Sequence, residues 1–470
     1  MTSEPGRRER ATIAVLALSG MLSSLQFTLM VPALPDVPAA LGVSANDASW
    51  VVTITLLAGT VGTPIVTRMA DMYGRRRLLL ICLALLAAGS ALAAVGMTFP
   101  TVLVGRALQG FSASIVPIGI SLMRDSMSRD RAVGGIALMS GTVGIGSALG
   151  LPLSGVLGSV GGLAAIFFFS AGAAALFVPL VWRIVPESPV LERERFDLTG
   201  ALLLSAGLTA LLLAISKGFV WGWTSPPILG CALVFVVAIA AWIPLQLRSP
   251  SPIVDLRTSL RRQVLLTNVA ALFVTFGMFA NHLLTTHEAR APIESGAGLG
   301  LPTILGGLTM LPSALAMVGL TPVAARMLRR RGGRETLMLG SAIITLAFVF
   351  RLLVHDGVVA VVLGAFLVGI GTAFAFAAMP TLISDAVPRD ELAAANGLNS
   401  LVRSLSGAVT SSLFAMVIAS MPWPGSPEFI SGDGLAVAFA VTAAATAVGT
   451  AIAFFLPRPP RLAQEAAVLA

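Results

Sequence analysis

Long apolar runs separated by short polar segments set the pattern of this chain. Residues 78–105, 132–182, 198–216 and 218–247 contain no Asp, Glu, Lys or Arg. Crossing ~30 Å of hydrocarbon takes about 20 apolar residues at ~1.5 Å each. The runs are long and unbroken and lack the short alternation of barrel strands, so they predict helices. The prediction is an all-α integral membrane protein with about fourteen spanning helices. They fall near 11–34, 48–69, 78–98, 100–123, 133–157, 163–184, 198–215, 227–247, 264–284, 301–325, 336–354, 358–383, 393–420 and 434–456. The first run, Ala11 to Leu34, is longer than a signal-peptide core and shows no evident cleavage site, so it reads as a retained span.

The polar segments orient these helices. With the N-terminus in the cytoplasm, the inner segments carry nearly all the arginines, among them Arg75, Arg76, Arg77, Arg124, Arg129, Arg131, Arg261, Arg262, Arg329, Arg330, Arg331 and Arg334. The outer loops carry Lys217 and Arg290, with Arg351 near the outer end of the eleventh helix. This asymmetry predicts cytoplasmic N- and C-termini in a multi-pass protein of the cell membrane.

Composition agrees. The chain is 56% hydrophobic and 11% charged, with a mean hydropathy of +0.92. A soluble domain could not hide that much apolar surface. The formal charge of +8 does not mark a nucleic-acid binder, because the basic residues lie between apolar segments rather than on one soluble face. Cys82 and Cys231 both sit inside apolar runs and are expected to be free thiols. No zinc-protease, phosphate-loop or serine-hydrolase motif is present, so no enzyme activity, metal or cofactor is expected.

The chain also repeats itself. TPIVTRMADMYGRRRLL at 63–79 and TPVAARMLRRRGGRETL at 321–337 share Thr, Pro, Arg, Met, Gly, Arg and Leu at a constant offset of 258. DSMSRD at 125–130 and DAVPRD at 385–390 match at an offset of 260. Both pairs fall on the same predicted side, which implies two six-helix bundles in parallel orientation. The expected organisation is an N-terminal bundle over 1–190, a two-helix insert over 191–260, a C-terminal bundle over 261–457 and a cytoplasmic tail over 458–470.

Four stretches resemble the major facilitator superfamily, and within it the fourteen-helix drug:proton antiporters. TRMADMYGRRRL at 67–78 resembles the signature between the second and third helices through Asp71, Gly74, Arg75 and Arg76. Gly74 permits a tight turn, and Asp71 lies one helical turn before Arg75. A carboxylate there can also cap a helix N-terminus of the other bundle, forming a cytoplasmic latch that opens during transport. The second copy has Arg329 in place of Asp71, so the latch should be one-sided. VGRALQG at 104–110 resembles the helix-four motif through Arg106, Gln109 and Gly110, with Arg106 about 9 Å inside the outer helix end. GSALGLPLSG at 146–155 resembles the antiporter motif through Gly146, Gly150, Pro152 and Gly155, with Leu151 inserted before the proline. Its small residues also suit plain helix packing. LQFTLMVPALP at 25–35 resembles the helix-one pattern, with Gln26 in place of the acidic residue. WGWTSP, PIVDLR and ANGLNSLVR, starting at Trp221, Pro252 and Ala395, are weaker likenesses.

The resemblance implies a secondary efflux transporter for small amphiphilic compounds such as drugs, antibiotics and dyes, driven by proton antiport and working by alternating access. It is expected to act as a monomer among membrane lipids. Gln26, Thr28, Gln109, Asn268 and Asn281 are the polar candidates for the substrate cavity. Gln26 can bond Arg106 but cannot titrate. Coupling candidates are therefore Arg106, Asp36, His282, His287, Glu288 and Arg403, the last about 15 Å into its helix. A single-metabolite exporter, an uncoupled facilitator or importer, and a membrane sensor or scaffold are the alternatives.

Overall fold

The computed structural model describes residues 4–457 apart from 49, 189–195, 251, 297, 355–356 and 389–390. The expected tail at 458–470 lies outside the described residues. The chain is helical almost throughout: α1 Glu4–Ala33, α2 Trp50–Tyr73, α3 Arg75–Gly96, α4 Phe99–Gly110, α5 Ile115–Ser126, α6 Arg129–Ile184, α7 Leu198–Trp221, α8 Pro226–Arg248, α9 Arg262–Arg290, α10 Leu311–Gly319, α11 Thr321–Arg331, α12 Gly333–Leu353, α13 Gly357–Ser384, α14 Leu392–Ser420 and α15 Gly432–Phe454. A short hairpin, β1 Pro422–Trp423 and β2 Ser426–Ile430, joins α14 to α15. Helices dominate because hydrocarbon offers no partner to backbone N–H and C=O groups, which must be satisfied within each segment.

Counting α4 and α5 as one span over Phe99–Ser126, twelve helical segments of the described residues are long and apolar enough to span a bilayer, or thirteen if the bent segments Leu305–Gly319 and Thr321–Arg331 form one span. The apolar runs alone predict about fourteen. The fifth predicted helix lies in the first part of α6, which runs for 56 residues with a break at Gly161 and Gly162. A helix of that length would measure ~84 Å, more than twice the hydrocarbon thickness. Gly162 has φ 61° and ψ −153°, a conformation open essentially to glycine alone, and this lets the chain turn back.

Two compact units emerge. Unit one comprises Met1–Leu211, Cys231–Ser259 and Ser384–Leu401; unit two comprises Leu212–Gly230, Leu260–Ile383 and Val402–Ala470. In unit one, α1 packs along α6 through small residues. A Cβ on Gly146 would meet the Met21 carbonyl and lie 3.0 Å from Leu25 N; one on Gly150 would collide with Thr28 and lie 3.1 Å from Leu29 N. Ser24 Oγ donates to Val143 O at 2.6 Å across the same contact. Two apolar clusters, one around Leu79, Leu83 and Ile118 and one around Leu29, Leu86 and Phe167, fill the space between these helices.

The repeat read from the sequence is visible in the backbone. Gly74 (φ 110°) turns α2 into α3, and Gly332 (φ 84°) turns α11 into α12. Two residues past each glycine an arginine reaches the end of a later helix. Arg76 Nη1 donates to Val185 O at 3.2 Å, and Arg334 Nη2 donates to Phe454 O at 2.6 Å.

Two helix ends differ from the sequence reading. The ninth predicted helix stops at 284, whereas α9 continues to Arg290. The seventh stops at 215, whereas α7 continues to Trp221 and buries Lys217. In both places a charged residue interrupts the apolar run, yet the folded chain keeps that residue inside a helix.

Candidate functional site

Unit one contains a buried charge cluster at the junction of α2 and α3. Asp71 and Arg75 are almost fully shielded from solvent. Arg75 Nε and Nη2 donate to Asp71 Oδ1 at 2.9 and 2.7 Å. Arg75 Nη1 forms a further ion pair with Asp125, which also accepts from Ser188 Oγ. The second Asp71 oxygen accepts from the backbone N–H of Ala394, in the first turn of α14, at 3.0 Å. A buried carboxylate is tolerable only when its lone pairs are satisfied in this way, and a helix N-terminus is a favourable partner for it. Glu187 accepts from the backbone N–H groups of Arg76 and Arg77 at 2.8 and 3.2 Å, capping the start of α3. Arg124 pairs with Asp385, so the two repeated acidic loops supply Asp125 and Asp385 to one region of unit one. A small cavity of about 100 Å³ beside Ala394 is lined by Arg68, Asp255, Thr258 and Glu391.

Deeper in unit one, Arg106 is fully buried in α4. Its Nε donates to Val51 O at 3.0 Å and its Nη1 to Gln109 Oε1 at 2.9 Å. Gln109 Nε2 in turn donates to Ser90 Oγ at 2.7 Å. Arg106 Nη2 is a buried donor without a hydrogen-bond partner among the described residues, and so is Gln26 Nε2. No hydrogen bond joins Gln26 to Arg106; Gln109 and a backbone carbonyl hold the guanidinium instead. The Thr28 hydroxyl is turned back onto its own helix, donating to Leu25 O at 3.1 Å. Asp36 is exposed in a short 3-10 turn, Leu34–Asp36.

Unit two contains a second buried ion pair, which the sequence reading does not identify as a pair. Arg351 in α12 and Glu288 in α9 are both shielded from solvent and form a salt bridge. Arg351 Nη1 also donates to Thr285 Oγ1 at 2.8 Å and to Asn281 Oδ1 at 3.2 Å, and its guanidinium lies 4.5 Å from the centre of the Phe439 ring in α15. Asn281, Thr285 and Glu288 lie on one face of α9 because helical neighbours recur every three to four residues. That spacing is present in the sequence, but ending the predicted helix at 284 hides it. His282 and His287 are half-buried on the same helix, with rings 6.4 Å from Phe279 and 5.5 Å from Phe429. Asn268 is buried nearer the start of α9. In α14 the Arg403 guanidinium lies 4.0 Å from the Phe376 ring centre, a cation–π contact.

Gly155 of the antiporter-like stretch lies in α6 near Gly146 and Gly150, whose packing on α1 is described above. The Pro152 side chain lies outside the described residues. Cys82 and Cys231 are free thiols. Among the described residues no group of three or more His, Cys, Asp or Glu side chains could hold a metal ion.

A model of the Major Facilitator Superfamily matches residues 16–411. The chain belongs to this superfamily. Membership makes it a membrane transporter of small molecules and not an enzyme. Its relatives within the superfamily include the uncharacterized transporter YcnB of Bacillus subtilis, 24% identical over 465 residues and covering 96% of each chain. Multidrug resistance protein Stp of Mycobacterium tuberculosis is 26% identical, covering 88% of this chain and 76% of its own. The tetracenomycin C resistance and export protein of Streptomyces glaucescens is 26% identical, covering 87% and 76%. Human MFSD10, an organic anion transporter, shares the superfamily fold at a TM-score of 0.69 and 17% identity, covering 95% of this chain and 99% of its own.

Proposed function

We propose that this superfamily transporter exports small amphiphilic compounds across the cell membrane by proton antiport, working through alternating access as a monomer with cytoplasmic termini. Relatives named for multidrug resistance and for export support the direction. The cluster around Asp71 supports a moving latch, because this one carboxylate joins Arg75 to the start of α14.

Among the coupling candidates, Glu288 is the best placed. It is a carboxylate inside a spanning helix, paired with Arg351, and a proton could displace that arginine. The same helix carries His282, His287 and Arg290. On the substrate side, the unpartnered hydrogens of Arg106 and Gln26 favour compounds that present an acceptor to them. With Gln26 in place of a carboxylate, this part of unit one offers donors rather than a negative charge.

Two measurements test this. In proteoliposomes, an imposed pH gradient is expected to drive export, and Glu288→Gln to abolish the dependence on the gradient while substrate exchange at equal pH persists. Transport indifferent to the gradient in the unaltered protein would reject antiport. Asp71→Asn removes one of the two carboxylate charges that Arg75 faces but leaves an acceptor for Ala394 N–H. Charge-assisted hydrogen bonds contribute about 1.5–3 kcal/mol, so transport should fall about 10- to 100-fold at unchanged expression. Full activity in that variant would remove the latch from the mechanism.

A further inference from the structure

We propose that an arginine-walled cleft in unit two binds the phosphodiester headgroup of an anionic phospholipid. The cleft measures about 830 Å³ and is lined by residues of α11, α12, α13 and α15. Four arginines, Arg326, Arg330, Arg331 and Arg334, line it with one acidic residue, Glu335. Arg334 is buried and fixed: Nε and Nη2 donate to Phe454 O, and its guanidinium lies 5.0 Å from the Phe454 ring centre. Arg326, Arg330 and Arg331 are exposed, and none of the ion pairs among the described residues engages them.

The first copy of the repeat shows what is missing here. There the corresponding turn is neutralised from within the protein, by Asp71 and Asp125 on Arg75 and by Glu187 beside Arg76. In the second copy Asp71, Met72 and Tyr73 are replaced by Arg329, Arg330 and Arg331. Arg334 keeps the same anchor as Arg76, the end of a later helix, but the described residues after Phe454 (Phe455, Leu456 and Pro457) bring no carboxylate. Positive charge has accumulated at a site whose paired copy carries its own carboxylates, and the described residues do not supply the matching anion.

The remaining walls identify that anion. Leu339 and Phe454 line the cleft at 39% and 55% exposure, and Phe374 and Met338 line it beside them. A free phosphate would have no use for this apolar surface. A phospholipid would use both parts, its headgroup among the arginines and its glycerol and first acyl carbons along Leu339 and Phe454. The cleft lies on the side that the arginine asymmetry assigns to the cytoplasm, where anionic headgroups attract basic side chains.

The test uses the full chain in detergent, with dihexanoyl phosphatidylglycerol, dihexanoyl phosphatidylcholine and inorganic phosphate as probes, and reads bound lipid by native mass spectrometry. The expected result is a preference of about 100-fold for the glycerol headgroup over the choline one, about fivefold for each exposed guanidinium. Arg326→Gln/Arg330→Gln/Arg331→Gln should lose this preference, whereas Arg77→Gln/Arg183→Gln/Arg248→Gln, which removes three exposed arginines elsewhere, should keep it. If the triple variant fails to fold, Arg330→Gln alone should lower the preference about fivefold. Equal retention of both lipids by the unaltered protein, or an undiminished preference in the Arg326, Arg330 and Arg331 variants, would overturn the proposal. So would displacement of the glycerol lipid by an equal concentration of inorganic phosphate, since the acyl contacts would then contribute nothing.

Discussion

Arg351→Met alone is expected to cost more stability than the double change Glu288→Gln/Arg351→Met. The single variant leaves Glu288 buried in α9 with the charge of Arg351 removed. Breaking a buried ion pair by deleting one partner costs about 3–5 kcal/mol, most of it the penalty of the charge left behind. Neutralising both partners removes that penalty and leaves only the loss of packing against Phe439. Thermal unfolding in lipid nanodiscs checks this. The arginine variant should melt about 10 °C lower, and the double variant should recover at least half of that loss. Additive losses would mean that the two side chains are energetically independent, which would also weaken the case for Glu288 as a proton carrier.

This pair also marks the limit of what can be read from the residues alone. Membrane class, helical fold and family are legible, because the apolar runs and the motif at 67–78 are continuous stretches of sequence. The Asp71–Arg75 pair is legible for the same reason, as a one-turn spacing within one motif. Asp125 is visible as part of a repeated loop, but nothing local says that it will meet Arg75. Arg351 reads as an outer-end residue, and Glu288 as one of several charges past a helix exit. Each is costly in a membrane alone, and the two become tolerable only through each other. A rule that ends a helix at the first charge fails where the partner sits on another helix, more than 60 residues away.

The helix count meets the same difficulty from the other side. Gly161 and Gly162 turn the chain within α6 without any polar segment to announce it, since residues 132–182 carry no charge at all. The copies of the motif around Gly74 and Gly332 diverge at a few positions. Both keep the turn glycine and the arginine two residues later, yet Asp71 answers Arg75 in the first, while Arg329 adds to the positive charge of the second.

A large single-residue effect outside the charge clusters is expected at Gly150. A valine there would drive its Cβ into the Thr28 side chain, to 2.7 Å from Thr28 Cβ and 3.1 Å from the backbone nitrogen of Leu29. A flexible side chain could turn away, but the backbone of α1 can yield only by moving the whole helix. Overpacking of this kind costs about 1–3 kcal/mol where side chains can adjust, and more where backbone is involved. Gly150→Val is therefore expected to abolish transport and to lower the melting temperature by several degrees. A Cβ added at Gly158, on the same helix, would meet nothing within 4 Å, so Gly158→Val should be close to neutral. Gly150→Ala separates a structural role from a directional one. If these glycines only allow close packing, the alanine variant should lose stability and transport together. A variant that stays as stable as the parent but loses export while keeping exchange would show that the α1–α6 contact controls the direction of transport. If Gly150→Val and Gly158→Val behaved alike, the close approach of α1 to α6 would not be what this stretch of small residues provides.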